Sequence, residues 1–150
     1  MLKWIDLPPV WLALAALGAW GQATYFPMDL SFGGAWADFA GGIFIGGGLI
    51  LMALAFVEMR KHRTTVIPHL NANALVSSGI FSRTRNPIYV GDALVLAGLI
   101  LRWDAVLALP LVPIFILVIE KRFIIGEEDR LRRKFRSQFA AYCEKTRRWV

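Results

Sequence analysis

Residues 40–57 read AGGIFIGGGLILMALAFV, eighteen consecutive positions without a charged side chain. As an α-helix this segment is about 27 Å long, close to the thickness of the hydrocarbon core of a bilayer. Three further apolar segments accompany it, at residues 10–26, 88–101 and 105–119. Hydrophobic residues make up 57% of the 150-residue chain, more than a domain of this size can bury within itself. The sequence therefore predicts an all-α integral membrane protein with about four transmembrane segments.

The flanks of these segments indicate where the helices begin and turn. Pro8 and Pro9 precede the first segment, and proline is favoured at the first position of a helix. Only residues 102–104 separate the last two segments, so we expect a tight helical hairpin. Within residues 40–57, Gly42 and Gly46 form a small-xxx-small pattern. This pattern predicts close helix packing and makes oligomerisation possible.

The tail at residues 126–150 has a different pattern. Its apolar residues recur at helical spacing among many basic residues, namely Leu131, Phe135, Phe139 and Tyr142. The sequence therefore predicts a C-terminal amphipathic cytoplasmic helix. Such a helix can lie on the bilayer surface or cover a site at that surface.

The positive charge predicts the orientation of the chain. With a cytoplasmic N-terminus, every Lys and Arg except Arg102 lies on the cytoplasmic side. Basic residues concentrate on that side of membrane proteins, so we expect both termini in the cytoplasm. Topology and anionic lipid headgroups then account for the net charge of +6. Nucleic acid is not needed as a partner.

Metal binding is not expected from this composition. The chain has one cysteine, Cys143, and two histidines, His62 and His69, which are seven residues apart. A zinc site needs three or four ligands with suitable spacing. We therefore predict no metal site.

The loop between the second and third segments contains LVSSGIFSRTRNPIYVG at residues 75–91. Gly79 permits a sharp turn, and Pro87 starts the third helix. Arg85, Asn86 and Tyr89 thus cluster at the beginning of a helix, where free N–H groups attract anions such as a carboxylate or phosphate. A structural role for Arg85, extending its charge towards the membrane surface, explains the pattern equally well.

Acidic residues occur at two further places. Asp92 lies one turn into the third segment, where an acid is a functional candidate by default, although a salt bridge to a nearby Arg is a simpler role. Glu127 and Glu128 follow the fourth segment among basic residues. They could balance charge, or hold an ammonium group or ribose hydroxyls of a ligand.

Together these elements resemble the bacterial branch of the superfamily of isoprenylcysteine carboxyl methyltransferases and phospholipid methyltransferases. The resemblance covers about residues 58–150, and the first two segments match only as apolar spans. It rests on the order and spacing of Thr64-Thr65-Val66-x-Pro68, Leu75-Val76-x-x-Gly79-x-Phe81, Arg85-Asn86-Pro87-x-Tyr89-x-Gly91, Glu127-Glu128-x-x-Leu131-x-x-x-Phe135, Tyr142 and Arg147-Arg148-Trp149.

The resemblance implies a single methyltransferase domain over residues 1–150. Residues 1–57 would form two N-terminal transmembrane helices, and residues 58–150 the cofactor-binding catalytic region. S-adenosylmethionine would donate a methyl group to a lipid-like or apolar acceptor (an amine, thiol or carboxylate) at the cytoplasmic membrane surface. The expected location is the bacterial cytoplasmic (inner) membrane, with membrane lipids as partners.

The resemblance also implies site residues. Those expected to bind the cofactor are Val76, Gly79, Phe81, Arg85, Pro87, Tyr89, Glu127, Glu128, Tyr142, Arg147 and Arg148. Those expected to act in catalysis are Arg85, Asn86, Tyr89, Asp92 and Glu128. Many relatives carry His where this chain has Asn86, and an amide cannot titrate near neutral pH, so Asn86 should not be a general base. An amine acceptor must lose a proton, which Asp92 could accept.

Two other functions fit parts of the sequence. Sterol-type membrane reductases have a loosely similar C-terminal half, in which a group of arginines could bind the 2′-phosphate of NADPH: Arg83, Arg85, Arg147 and Arg148. A small non-enzymatic transporter would also use a few short helices and one intramembrane acid, Asp92. It would not need the tail or the long loop at residues 58–87, the motif loop.

Overall fold

The computed structural model describes residues 5–64 and 72–150. His69 and the motif residues Thr65, Val66 and Pro68 lie outside the described residues. Throughout the described ranges, regular secondary structure is helical, which confirms the all-α prediction. The helices are α1 (Pro8–Tyr25), α2 (Ala35–Lys61), α3 (Pro87–Arg102), α4 (Leu111–Ile119), α5 (Ile125–Phe135) and α6 (Ser137–Lys145), with short 3₁₀ turns at Gly79–Ser82 and Val106–Ala108 and a π-helical turn at Glu120–Ile124.

Helix α2 has the length and composition to cross a bilayer. Its most apolar 18-residue window has a mean hydropathy of 2.2, yet only 17% of that window is buried. A core helix of a soluble protein would be mostly buried, whereas α2 exposes side chains such as Phe39, Ile43 and Leu49. It is the one helix in the described part of the chain that meets both criteria. The total of four spans stays a prediction.

Helices α1 to α4 run in alternating directions. At one end, the Arg122 guanidinium after α4 binds the Asp6 carboxylate before α1 at 2.8 and 3.1 Å. At the other end, the Asp104 carboxylate after α3 accepts a hydrogen bond from the backbone N–H of Phe32, before α2. Arg102, at the end of α3, donates to the carbonyl of Asp38 in the first turn of α2. The chain therefore brings the end of α2, the start of α3 and residues 120–128 to the same end of the structure.

Glycine contacts hold α2 and α3 together. A Cβ built on Gly98 would lie 2.6 Å from the carbonyl oxygen of Gly41, and one on Gly91 would lie 2.6 Å from that of Gly48. On each helix the two glycines are seven residues apart. The antiparallel backbones therefore touch at two points, about two turns apart. Only glycine permits this approach, as in other small-residue helix contacts.

The small-xxx-small pair that stands out in the sequence is not the one used for this packing. Gly46 has no neighbouring atom within 4 Å of a built Cβ, and the nearest atom to Gly42 is Nη1 of Arg102, at 3.6 Å. Gly41 and Gly48 fill that role because they lie on the face of α2 that meets α3. Oligomerisation through Gly42 and Gly46 stays a prediction.

The fourth apolar segment differs from the uniform helix expected at residues 105–119. The structure places a 3₁₀ turn at Val106–Ala108 and begins α4 only at Leu111. Pro110 precedes α4 and Pro113 falls in its first turn, where a missing N–H costs no hydrogen bond. The helical run then continues through the π-helical turn into α5 without a break. Helices α3 and α4 contact each other, and a hairpin with two full spans stays a prediction.

The tail forms two helices where the sequence predicts one at residues 126–150. The chain breaks at Arg136, whose φ of 45° is incompatible with a continuous right-handed helix. The break turns α6 so that Phe139 and Tyr142 pack with Val76 and Phe81 in one apolar cluster. The apolar residues of α6 therefore pack against the motif loop, and contact of the tail with the bilayer surface stays a prediction.

We predict that alanine at Gly48 destabilises the protein, whereas alanine at Gly46 does not. The Gly48→Ala methyl group would overlap the backbone of α3, and overpacking of this kind costs about 1–3 kcal/mol. Gly46→Ala adds a methyl group in open space and should stabilise the helix by up to about 1 kcal/mol. Thermal unfolding of both variants in the same detergent provides the measurement. Equal melting temperatures would contradict the assigned α2–α3 contact.

Candidate active site

A cavity of about 530 Å³ lies at the end of the structure that contains the motif loop. Its size falls in the range of about 300–1,000 Å³ typical of pockets for cofactors and small ligands. Its lining includes ten of the residues that the sequence predicted for a site: Val76, Phe81, Arg85, Asn86, Pro87, Tyr89, Asp92, Glu127, Glu128 and Tyr142. These residues come from the loop, α3, α5 and α6. Helix packing thus brings separate parts of the sequence to one cavity.

The predicted residues Gly79, Arg147 and Arg148 do not line the cavity. Gly79 has a φ of 59°, and a Cβ built there would lie 2.6 Å from Oε2 of Glu58. The hydroxyl of Ser78 donates to the other oxygen of Glu58 at 2.6 Å. Gly79 therefore allows the loop to turn tightly against the end of α2, as its sequence position indicated.

This turn positions Phe81 at the cavity. The hydroxyl of Tyr142 donates a hydrogen bond of 2.6 Å to the Phe81 carbonyl, which fastens the loop to α6. Burial raises the pKa of the Tyr142 phenol, so the hydroxyl keeps its proton and remains a donor. Tyr142 thus lines the cavity and also holds its loop in place.

The C-terminal segment passes alongside the start of α3. The backbone N–H of Arg85 donates to the carbonyl of Arg147 at 2.9 Å, and the side-chain amide of Asn86 donates to the carbonyl of Arg148 at 2.8 Å. The Thr84 hydroxyl accepts a hydrogen bond from the backbone N–H of Asn86. These bonds fix the Asn86 side chain and fasten the chain terminus to the motif.

Arg148 is the centre of an ion cluster beside the cavity. Its guanidinium binds both oxygens of Glu128, at 2.9 and 2.8 Å, and also contacts the carboxylate of Glu120. The hydrogen bonds to Glu128 raise the pKa of the Arg148 guanidinium, which therefore stays charged. The π-helical turn contains Glu120 and precedes α5, so this wider turn helps to present two acids to one arginine.

Arg85 extends from the start of α3 towards the same acid. Its Nη1 lies 3.6 Å from Oε1 of Glu128 and contacts the sulfur of Cys143. Its Nε is buried and has no hydrogen-bond partner among the described residues. This unpaired donor thus belongs to a side chain that lines the cavity.

The cavity lining contains two further acids, Glu127 and Asp92, which form its polar wall together with Arg85, Tyr89 and Glu128. The hydroxyl of Tyr89 donates to Oε1 of Glu127 at 2.6 Å. Asp92, three residues further along α3, is only 4% exposed, and its Oδ2 has no hydrogen-bond partner within the described ranges. No ion pair to Asp92 occurs there either, so the salt bridge considered from the sequence is not found among these residues.

An apolar wall completes the cavity. It consists of residues from the start of α1 and the last turns of α2: Leu7, Pro8, Pro9, Met52, Phe56 and Met59. Phe56 is 46% exposed, so this wall reaches the outer apolar surface of α2. No motif marks these residues, because they belong to segments that look like ordinary apolar helices.

The described His, Cys, Asp and Glu side chains form no group of three or more that could hold a metal ion. His62 lies near Ser78 and Glu58 on the outer side of the loop turn. Its Nε2 is 3.0 Å from the Ser78 hydroxyl oxygen. This histidine therefore supports the loop from outside the cavity.

Comparison with known protein families identifies a match over much of the chain. A family model described as phospholipid methyltransferase matches residues 36–138. The matched range begins in α2 and ends in α6, so it includes the motif loop, α3 and the acids of α5. No curated protein and no solved structure matches the chain.

We predict that Arg148→Ala destabilises the protein, while Arg147→Ala leaves its stability nearly unchanged. Removing Arg148 leaves the buried Glu128 carboxylate without its bidentate partner, and partial exposure of Arg148 limits the expected cost to about 2 kcal/mol. The Arg147 side chain is exposed, and the hydrogen bond that its backbone carbonyl accepts remains in the alanine variant. Thermal unfolding of the two variants tests this pair. Similar losses in both would show that Arg148 does not anchor the terminus.

Proposed function

Because the chain belongs to the phospholipid methyltransferase family, we propose that it transfers a methyl group from S-adenosylmethionine to a lipid-like or apolar acceptor. The main support is that motif residues of α3, α5 and α6 line one cavity together with the apolar wall from α1 and α2. A polar wall suits a charged cofactor, and an apolar wall suits the body of the acceptor. The family and the exposed apolar surface of α2 both indicate a membrane protein.

The residues present fit S-adenosylmethionine, which has a carboxylate, an ammonium group, ribose hydroxyls and an adenine. The unpartnered Nε of Arg85 is a suitable donor for the carboxylate. Glu127, already bonded to the Tyr89 hydroxyl, suits the ammonium group or the ribose. Phe81 and Val76 offer an apolar surface for the adenine. When bound, the cofactor supplies an electrophilic methyl group on a positively charged sulfur.

Other predicted residues hold the site in shape and do not contact the cofactor in this proposal. Glu128 faces the cavity but is bound by Arg148, so it shapes the wall and orients Arg85. The amide of Asn86 is fixed by the Arg148 carbonyl, so Asn86 and Pro87 set the start of α3. Much of the catalysis would come from alignment of the reactants and exclusion of water, since methyl transfer is an in-line displacement.

We place this site at the cytoplasmic surface of the membrane, with both termini in the cytoplasm. The basic residues other than Arg102 support this orientation, because Arg102 lies at the end of α3 away from the cavity. Bacterial inner membrane is the location that the sequence resemblance favours. The acceptor would enter from the bilayer beside Phe56, where the apolar wall meets the outer surface of α2.

We predict that the purified chain binds S-adenosylmethionine and that Glu127→Gln weakens this binding. Loss of the charge-assisted hydrogen bond should raise the Kd by about tenfold or more. Glu144→Gln is the matched control, because Glu144 is exposed on α6 and does not line the cavity. Isothermal titration calorimetry in detergent measures all three proteins.

The same preparation separates methyl transfer from the reductase alternative. Radiolabelled methyl groups should appear in lipid extracts incubated with the protein and labelled S-adenosylmethionine. Lack of cofactor binding at millimolar concentration, or tight binding of NADPH in its place, would contradict the proposal.

A further inference from the structure

The apolar wall of the cavity has two parts, which are held by different contacts. The part from α2 is fixed by the glycine contacts with α3. The part from α1 consists of Leu7, Pro8 and Pro9, at the start of a helix that packs against α3 and α4. Asp6 directly precedes these residues, and its carboxylate binds the guanidinium of Arg122 in the π-helical turn after α4. The α1 part of the wall therefore has an anchor of its own.

This anchor is a cluster of Asp6, Arg122 and Trp11, here called the latch. Arg122 donates from Nε and Nη2 to the two Asp6 oxygens, at 3.1 and 2.8 Å, and the Trp11 indole N–H donates to Oδ1 at 2.9 Å. The guanidinium carbon of Arg122 also lies 5.0 Å from the centre of the Trp11 ring, within the range of attraction between a cation and an aromatic ring. Trp11 in turn packs against the apolar core. The latch thus joins the start of α1 to the turn after α4.

The segment between the latch and the cavity is stiff. Leu7 has an extended backbone, with φ of −123° and ψ of 147°, as expected for a residue that precedes a proline. Pro8 and Pro9 occupy the first turn of α1, where the proline ring fixes φ. A segment with so little freedom transmits a displacement of Asp6 to its neighbours. The position of the Asp6 carboxylate therefore determines where the α1 part of the wall lies.

The latch is partly exposed, and the polar wall is held independently of it. The side chains of Arg122 and Asp6 are 48% and 26% exposed, and ion pairs at such positions add little to the free energy of unfolding. The polar wall depends on other contacts, such as the hydrogen bond from Tyr89 to Glu127. Loss of the latch should therefore displace the α1 part of the wall without unfolding the protein or altering the polar wall.

We propose that Asp6, Arg122 and Trp11 position the apolar body of the acceptor, an inference that rests on the proposed function. They are positioning residues, because they act through the α1 part of the wall. An apolar chain gains affinity in proportion to the apolar surface that it buries, so it binds best when both parts of the wall cover it. Without the latch, the acceptor loses the area that α1 covers. The latch thus sets the affinity for the acceptor and leaves the affinity for S-adenosylmethionine unchanged.

Photolabelling with an apolar probe tests this assignment and does not require a known acceptor. Decane with a terminal diazirine is added at several mole fractions to phosphatidylcholine nanodiscs that contain the full chain and S-adenosylhomocysteine. After irradiation, mass spectrometry compares the label on Met59, which lines the cavity, with the label on Leu49, on the outer surface of α2. The ratio separates probe in the cavity from probe in the surrounding lipid.

The test variants are Asp6→Ala, Arg122→Ala and the double variant. Lys121→Ala is the control, because Lys121 is an exposed neighbour with the same charge and does not line the cavity. Calorimetry measures the affinity of every variant for S-adenosylmethionine, and thermal unfolding measures its stability.

The expected result is a selective loss of probe binding. Wild-type protein and Lys121→Ala should show saturable labelling of Met59. Each single latch variant should weaken the apparent affinity for the probe by about tenfold, the effect of losing the burial of about one apolar side chain. The double variant should lose no more than the weaker single variant, because both substitutions remove the same contact. Affinity for S-adenosylmethionine should stay within about twofold, and the melting temperature within about 3 °C.

Several results would overturn the assignment. Wild-type affinity for the probe in both single variants, or no saturable labelling of Met59 in the wild-type protein, would show that the latch does not position a binding wall. An equal loss in Lys121→Ala would show a general effect of surface charge. A parallel loss of S-adenosylmethionine affinity or of stability would show that the latch supports the whole structure. Latch-dependent labelling in a wild-type protein that binds no S-adenosylmethionine would support the latch and refute the proposed methyl donor.

Discussion

The backbone contact between α2 and α3 is the constraint on which the rest of the structure depends. Gly41 meets Gly98 and Gly48 meets Gly91, so the two helices are fixed in register at two points. This register sets the position of the first turn of α3 relative to the last turns of α2. The motif residues of α3 and the apolar side chains near the end of α2 consequently line one cavity. A shift of one turn would separate these two walls.

A second constraint closes the cavity from the C-terminal side. Arg148 binds acids before and within α5, while the backbone carbonyls of Arg147 and Arg148 accept hydrogen bonds from the start of α3. Tyr142 joins α6 to the motif loop through the Phe81 carbonyl. The polar wall is thus assembled from four parts of the chain, and each is held by hydrogen bonds that do not involve a ligand. Such preorganisation suits a reaction that depends mainly on alignment.

Much of this arrangement could be predicted from sequence, because local signals determine it. Apolar runs predicted the helices, Gly79 predicted a tight turn, and the motif residues predicted most of the polar wall. The apolar wall and the pairing of Gly48 with Gly91 could not be predicted, since they depend on which helix faces meet. The break between α5 and α6 could not be predicted either, because it falls at Arg136 and not at a glycine or proline. The direction of α6 depends on the packing of Phe139 against the motif loop.

The polar and apolar walls have a common consequence for function. In the proposed reaction, a charged methyl donor and an apolar acceptor meet where both walls are in reach, in the cavity at the end of α2 and the start of α3. The most direct test is a structure of the full chain with S-adenosylhomocysteine. We predict that the ligand lies in this cavity between Phe81, Arg85 and Glu127. Ligand density at another place on the protein would contradict it.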